Sequence, residues 1–226
     1  MDERTKDERV LQEQMRYYQG RAAEYDATVL SEDDDDAAWY PLAQELRAWP
    51  PHIMGRLAPC EQALELACGT GIWTRCILQV AQRILAVDAS PEMLALNRAK
   101  VADARVRYQL ADLFTWEAEA PVDLAFAALW FSHVPSERLP PMLSMLRRAV
   151  RPGGQLCIID EPDTSPVRPR AAEDPDLELR ELRDGRQFQI VKIYRSPQRL
   201  AALCSDAGFT QVTAIPGTYF FGLIAQ

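Results

Sequence analysis

The chain has 226 residues, 48% apolar and 26% charged, the balance of a globular protein with one substantial core. Its 25 Lys and Arg stand against 33 Asp and Glu, and the net charge of −8 argues against a nucleic-acid partner, whose phosphates call for a basic face. Five cysteines with no C-x-x-C pair and only two histidines argue against a disulfide framework and a zinc site, so no metal is expected.

The start, "MDERTKDER", lacks the apolar run of a signal peptide, and no stretch approaches the roughly 20 apolar residues that span a bilayer. A cytoplasmic protein without a membrane partner is expected. Residues 1–30 read as a helix, with Val10, Leu11, Met15, Tyr18, Ala22 and Tyr25 at three- and four-residue spacings. The run "SEDDDD", 31–36, reads as a solvated loop whose last aspartates cap a helix over "AAWYPLAQELRAW". It lacks the spaced glycine and distal Glu of a calcium loop.

From residue 60 strand and helix alternate. Strands are expected at 62–68, 83–89, 106–112, 122–130 and 155–161. Between them lie helices over "IWTRCILQVA", over "SPEMLALNRAKVAD" with Ser90 as N-cap and Pro91 in the first turn, and over "ERLPPMLSMLRRAV", stopped by "RPGG". Nearly continuous apolar strands alternating with helices indicate a parallel sheet covered on both faces. After Glu161 come about twenty polar residues and then "LELRELRDGRQFQIVKIY", a β-hairpin. A helix, "SPQRLAALCSDAGF", and two β-rich runs around Pro216-Gly217 close the chain.

The first strand runs into "ELACGTG", where Gly69 and Gly71 permit a tight turn and a close ligand. Asp88 ends the second strand, placed for two ribose hydroxyls or for capping the next helix. Asp112 ends the third, where it can accept from an adenine amino group, with Leu113 beside it. Met93, one turn into the helix after Asp88, can cover the adenine face. No Lys-Ser/Thr follows the glycines and no third glycine has the dinucleotide spacing, so a pyrophosphate fits poorly.

Together "ELACGTG", "AVDAS", "QLADLF" and "LRRAVRPGGQL" resemble the ordered motifs of class I S-adenosylmethionine-dependent methyltransferases. The resemblance covers nearly the whole chain and departs at Ala67, where glycine is commoner. It implies an α/β, Rossmann-like, mostly parallel seven-stranded sheet in the order 3-2-1-4-5-7-6 with the last strand antiparallel. It also implies S-adenosylmethionine as cofactor, S-adenosylhomocysteine as product, and no metal. Glu65, Gly69 and Gly71 would hold the methionine half, Asp88 the ribose, and Met93, Asp112 and Leu113 the adenine, with Ala89 and Leu129 completing the set. A single domain over 1–226 is expected: a helical lid at 1–50, the cofactor core at 60–161, a substrate cap at 162–195, and a last helix and strands at 196–226.

The hairpin register decides where its cations point. A two-residue turn at Asp184-Gly185 sets Arg180 and Lys192 on opposite faces. A three-residue loop, Arg183-Asp184-Gly185, pairs Leu182 with Arg186 and Arg180 with Phe188, and puts Arg180, Arg186 and Lys192 on one face, towards an anion. The second is favoured because it spares two arginines from facing each other. The competing reading has Glu178 and Glu181 neutralise the arginines in a solvated cap.

"YYQGRAAEYDAT", "ELACGTGIWTR", "DLFTW", "SHVP" and "LRDGRQFQIVKIYRSPQRL" further resemble a subgroup of small-molecule O-methyltransferases, typified by the phosphonate O-methyltransferase of the dehydrophos pathway. By that resemblance Tyr25, Arg180 and Lys192 would bind the acid group, while Tyr17 and Arg21 close over the cofactor. Trp130 lines the pocket or belongs to the core. An ionised oxygen needs no general base; an alcohol or phenol would need one, and His133 is the histidine in place for it, the favoured reading of His133 being structural or substrate-lining. The expected function is methyl transfer to an oxygen of a small anionic metabolite. The alternatives are N-, C- or phenolic O-methylation, or a non-catalytic cofactor-binding module. Monomer and homodimer stay open.

Overall fold

A computed structural model describes residues 3–30, 40–166 and 174–226. The aspartate run at 31–36, its capping role, and part of the polar stretch after Glu161 lie outside those residues. A central sheet contains β1 (Cys60–Leu66), β2 (Ala81–Asp88), β3 (Val106–Leu110), β4 (Val122–Ala128), β5 (Val150–Asp160), β8 (Thr213–Pro216) and β9 (Phe221–Ala225). Its order is β3-β2-β1-β4-β5-β9-β8, with β6 (Leu177–Glu181) and β7 (Gln187–Val191) forming a separate two-stranded hairpin. Numbered without that hairpin, this is the expected 3-2-1-4-5-7-6. β1 to β5 run parallel, and β9 is antiparallel to β5.

Strand residues of opposite parity feed two cores. Leu64, Leu66, Ala125, Ala127, Leu156 and Ile158 pack with Leu143 and Leu146 of α6 (Leu139–Ala149) and Leu200 of α7 (Pro197–Asp206). Ala63, Leu124, Phe126, Cys157 and Ile159 pack on the other face. They meet Leu46, Trp49 and Ile53 of α3 (Tyr40–Met54), Ile77 of α4 (Ile72–Ile77) and Leu94 of α5 (Pro91–Val101). Period-two strands buried on both sides read as continuous apolar runs, which is why the sequence shows no alternation there. Each fully buried Leu or Phe contributes roughly 2 kcal/mol.

Two expectations change. β5 begins at Val150 instead of 155, because "RPGG" continues the strand through a bulge. Gly153 takes φ +79°, and a Cβ on Gly154 would stand 2.7 Å from the Asp123 carbonyl. Residues 1–30 are not one helix: α1 (Glu3–Arg21) gives way to a 3-10 turn over Ala22–Glu24 and then α2 (Tyr25–Val29). Arg21 braces the break, its guanidinium 5.6 Å from the Tyr17 ring centroid and 5.0 Å from that of Tyr25, and donates to Thr28 Oγ1 at 2.9 Å. The break delivers Asp26 to the Thr70 hydroxyl and the Lys100 ammonium.

The hairpin has the three-residue loop. Arg180 pairs with Phe188, the Leu182 N–H donates to Arg186 O at 2.9 Å, and Gly185 supplies the left-handed residue at φ +86°. Its inner face packs on α1, with Tyr17, Leu182 and Ile190 buried together beside Tyr18 and Phe188. α1 also satisfies the hairpin edge, since Glu13 Oε1 accepts from Gln189 N–H at 2.7 Å and Gln14 Oε1 from Val191 N–H at 3.0 Å. Helix and hairpin therefore form one roof. Among the described residues no helix is long and apolar enough to cross a membrane.

Candidate functional site

A cavity of about 420 Å³ opens at the carboxyl ends of β1, β2 and β4, where open α/β sheets place their ligands. Two non-glycine residues hold left-handed backbone at its edge, Ala67 after β1 (φ +50°) and Leu129 after β4 (φ +56°). Such residues each cost about 1–2 kcal/mol, strain that collects at functional sites. At Ala67, where glycine is commoner in the resembled motif, the positive φ is the physical reason for that preference.

The loop after β1 is fixed from behind. Asn97 of α5 is fully buried, and its Nδ2 donates to Thr74 Oγ1 at 2.9 Å and to Gly69 O at 3.3 Å. Gly71 takes φ +93°, and a Cβ there would meet Asn97 Oδ1 at 2.7 Å. Glu65 is 2% exposed and lies behind the loop, its Oε2 accepting from Thr74 Oγ1 at 2.6 Å. Burial pushes its carboxyl up to about 8 despite the Thr74 bond.

Asp88, Ala89, Met93, Asp112, Leu113 and Gly69 line one end of the cavity. Asp88 Oδ2 accepts from the Gly69 N–H (2.8 Å) and Oδ1 from the Ser90 N–H (2.9 Å), so its carboxylate is locked facing inward. Burial raises its pKa while those backbone donors oppose the rise. Met93 and Leu113 are 2% and 6% exposed and bound an apolar slot with Asp112 at its end. This set suits a nucleoside: a carboxylate for vicinal hydroxyls, an apolar slot for a base, and an acceptor for an exocyclic amine. Ser90 caps α5 by accepting from the Met93 N–H at 3.1 Å, which fixes where Met93 starts.

The other end is walled by Tyr18, Tyr25, Leu129, Trp130 and His133, with Leu11 and Met15 of α1 above. His133 Nδ1 lies 2.7 Å from Val191 O, and its Nε2 lies 2.8 Å from the Tyr18 hydroxyl. A carbonyl can only accept, so Nδ1 carries the proton and Nε2 accepts from Tyr18 O–H. Burial holds the His133 pKa well below 6.5, reinforced by Lys192 and Arg180. Burial raises the Tyr18 phenol well above 10 and the Tyr25 phenol to about 12, so both stay protonated donors.

Several expected residues stand off the cavity. Tyr17 is buried in the helix–hairpin cluster, Arg21 braces the helix break, and Glu65 and Gly71 support the loop from outside. Arg186 shares the inner face in register but turns back along the loop, its Nε 2.8 Å from Asp184 Oδ2, and its side chain is 58% exposed. The geometry corrects its placement at the acceptor: the aspartate two residues earlier captures it. Arg180 and Lys192 lie behind the Tyr18–Tyr25–His133 wall and are not among the lining residues. Arg180 meets Glu178 at 2.5 Å, and Lys192 contacts Glu161 and donates to Ser132 Oγ at 3.0 Å. Glu181 pairs with Gln187 instead of an arginine.

Sequence reasoning gave Tyr18 only a place on the helical lid, and missed Gln14, Asn97, Phe114, Arg138 and Glu161. Glu8, Leu11, Gln12, Met15 and Tyr18 all line the cavity at helical spacing on α1, while Val10, Gln14 and Tyr17 form a second, buried stripe. The apolar pattern merged the two stripes, and their polar members carried no signal. Among the described residues no group of three or more His, Cys, Asp or Glu could hold a metal ion, and all five cysteines are free.

Comparison with known proteins agrees with this geometry. A methyltransferase-domain family model matches residues 63–154. The structure of DhpI with SAH superimposes with a TM-score of 0.80 at 30% identity, covering 96% of both chains. The complex of DhpI with SAM and HEP gives 0.75 at 32% identity, covering 96% of this chain and 97% of that one. Trans-aconitate 2-methyltransferase of Azoarcus sp. BH72 is 33% identical over 129 residues, 55% of this chain and 49% of that protein. Malonyl-[acyl-carrier protein] O-methyltransferase of Serratia marcescens is 35% identical over 105 residues, 45% and 38% respectively. The chain spans about half the length of the curated relatives it matches. The carboxylate, apolar slot and terminal acceptor at the ends of β2 and β3 fit S-adenosylmethionine, the cofactor. By its sheet order, its cavity and these near full-length likenesses, the chain belongs to the class I S-adenosylmethionine-dependent methyltransferases.

Proposed function

We propose that this chain methylates an already ionised oxygen of a small carboxylate or phosphonate. One observation carries the reading: His133, the one histidine lining the cavity among the described residues, has both ring nitrogens engaged and is held neutral. A group whose lone pair is taken by Tyr18, with cations behind it, is a poor general base, so an acceptor that must first lose a proton finds little help. An ionised oxygen needs none.

When bound, S-adenosylmethionine supplies an electrophilic methyl group on a sulfonium. The residues of this chain hold and dry the site. Tyr25, protonated well past neutrality, donates a hydrogen bond to an anionic oxygen without becoming charged. Trp130, Leu11 and Met15 exclude water, so the nucleophile is held in line in a low dielectric. Behind the wall, Arg180 and Lys192 bias the acceptor end towards anions, and Arg180 Nε is buried without a hydrogen-bond partner among the described residues. Tyr17 and Arg21 brace the lid, and Asp88, Met93, Asp112 and Leu113 seat the nucleoside. Two of the relatives are named for trans-aconitate and for malonyl-[acyl-carrier protein], which supports an acid acceptor.

The test is a methyl-transfer screen over phosphonates, carboxylates, phenols and amines, with Arg180→Ala and Lys192→Ala alongside. Acids should be turned over, and both variants should lose that turnover while keeping cofactor affinity. Turnover of phenols or amines with no acid accepted would refute the assignment.

A further inference from the structure

Lys192 is central to an acid-binding site, yet its charge is already met. Lys192 is 4% exposed, and its ammonium contacts the Glu161 carboxylate, donates to Ser132 Oγ at 3.0 Å, and lies 4.9 Å from the Tyr194 ring centroid. Glu161 directly follows β5, and its backbone N–H donates to Asp160 Oδ1 at 2.8 Å, which aims the residue back over the sheet end. The cavity wall feels this group: Glu161 acts on the Tyr25 phenol, Lys192 on His133, and Arg180 on both His133 and Tyr18.

The charges behind the wall are Asp160, Glu161 and Glu178 against Lys192 and Arg180, with Arg195 facing Asp160. Arg21 also acts on Tyr18, Tyr25 and His133, but Lys192 and Arg180 each already meet a carboxylate. An acid group added at Lys192 with Glu161 still in place would set two carboxylates against one ammonium, which is costly in a low dielectric. At Lys192 an acceptor would therefore exchange with a carboxylate already present. Asp160 is fixed inside β5, 2% exposed and accepting from the Ser132 N–H at 2.7 Å; Glu178 is fixed inside β6 and 4% exposed. Glu161 lies outside both strands, and its side chain is 13% exposed.

Building on the acid-acceptor reading, we propose that Glu161 is a specificity-determining residue: its carboxylate is the internal counter-ion of Lys192 that an acceptor's acid group must displace. The acceptor reaches Lys192 only by outcompeting a carboxylate in place. A doubly charged or multidentate acid such as a phosphonate clears that threshold, and a simple monocarboxylate does so poorly. Glu161 thus sets how strongly the site discriminates among acids.

The experiment is calorimetric titration of methylphosphonate and of acetate into the SAH-loaded protein, for wild type, Glu161→Gln and Glu161→Asp. Steady-state KM for acid acceptors and cofactor affinity are measured in parallel. With Glu161→Gln both anions should bind about tenfold tighter, acetate gaining more than methylphosphonate, since roughly one partly buried charge contact no longer has to be broken. KM for acids should fall while cofactor affinity stays the same, a split that a purely structural role would not produce. Should the Gln variant fail to fold, Glu161→Asp, with its carboxylate withdrawn by one methylene, should gain about threefold. Unchanged or weaker anion binding in the folded variants overturns the proposal, and does so even if wild type methylates acids, leaving the acceptor assignment intact. Tighter anion binding without acid turnover by any variant leaves the counter-ion role standing and removes the acceptor assignment.

Discussion

Asn97 should be the residue whose loss most loosens the cofactor end without touching a ligand. It is fully buried on α5, and its two Nδ2 hydrogens serve Thr74 Oγ1, Gly69 O and, at 3.4 Å, Cys68 O, while Oδ1 accepts from the Tyr108 hydroxyl at 2.9 Å. Not all of this is lost in Asn97→Ala. The Thr74 hydroxyl keeps Glu65, and Cys68 O keeps the Gly71 N–H at 3.2 Å. About two net hydrogen bonds remain in deficit, near 1 kcal/mol each, and a small void opens beside Gly71, giving roughly 2–4 kcal/mol in all. Urea denaturation should show that loss as a shifted midpoint with an unchanged slope. Freed from its anchor, the loop holding Gly69 should also cost about tenfold in S-adenosylmethionine affinity by calorimetry. Asn97→Asp keeps the shape but turns an oxygen towards two backbone carbonyls, so at neutral pH it should be no milder than alanine. A loss below about 1 kcal/mol with unaltered cofactor affinity would show that the loop holds itself, and refute the reasoning.

Asp88→Asn keeps the volume but removes the charge and one acceptor facing the cavity, and should weaken S-adenosylmethionine by about a hundredfold in calorimetry. Glu45 caps three successive N–H groups, those of Thr218, Tyr219 and Phe220, at 3.0–3.2 Å, so Glu45→Ala should cost about 1–3 kcal/mol in denaturation and leave cofactor affinity unchanged. Glu65 has its folded pKa raised to about 8 from an unfolded value of 4.5, so the folded state holds the proton longer. Its contribution is therefore complete below pH 4.5 and fades as pH rises towards 8. Glu65→Gln cannot titrate, so the cofactor-free variant should gain stability relative to wild type across that window, by a few kcal/mol at most; a constant difference from pH 5 to 8 would contradict the shift.

The cavity lining at the ends of β2 and β3 was largely legible because its residues sit at strand ends, and a parallel sheet dictates where strand ends point. Asp88 follows from β2, Asp112 from β3, and Ser90 with Pro91 announces the helix that carries Met93. The hairpin register was legible because the three-residue loop spares Arg183 and Arg186 from facing each other, while Gly185 takes the left-handed φ +86° that loop needs. The break after Arg21 was not legible. The apolar spacing runs straight through it, and what bends the chain is Asp26 reaching Thr70 and Lys100, contacts 44 and 74 residues distant.

The acceptor half failed to show for a reason that the hairpin makes concrete. The three-residue turn does point Arg180 and Lys192 inward, as the register argument requires. It also delivers Lys192 to Glu161, 31 residues back, and to Ser132, 60 residues back, while Tyr18 reaches His133 across 115. Local pattern places a charge on a face but carries no record of the counter-charge that another segment brings. In a low dielectric the sum, not the single cation, fixes which ligand can be added. A buried lysine with its own carboxylate is not a vacant anion site; it is a site with an incumbent, and affinity there is a difference between two acids competing for one ammonium.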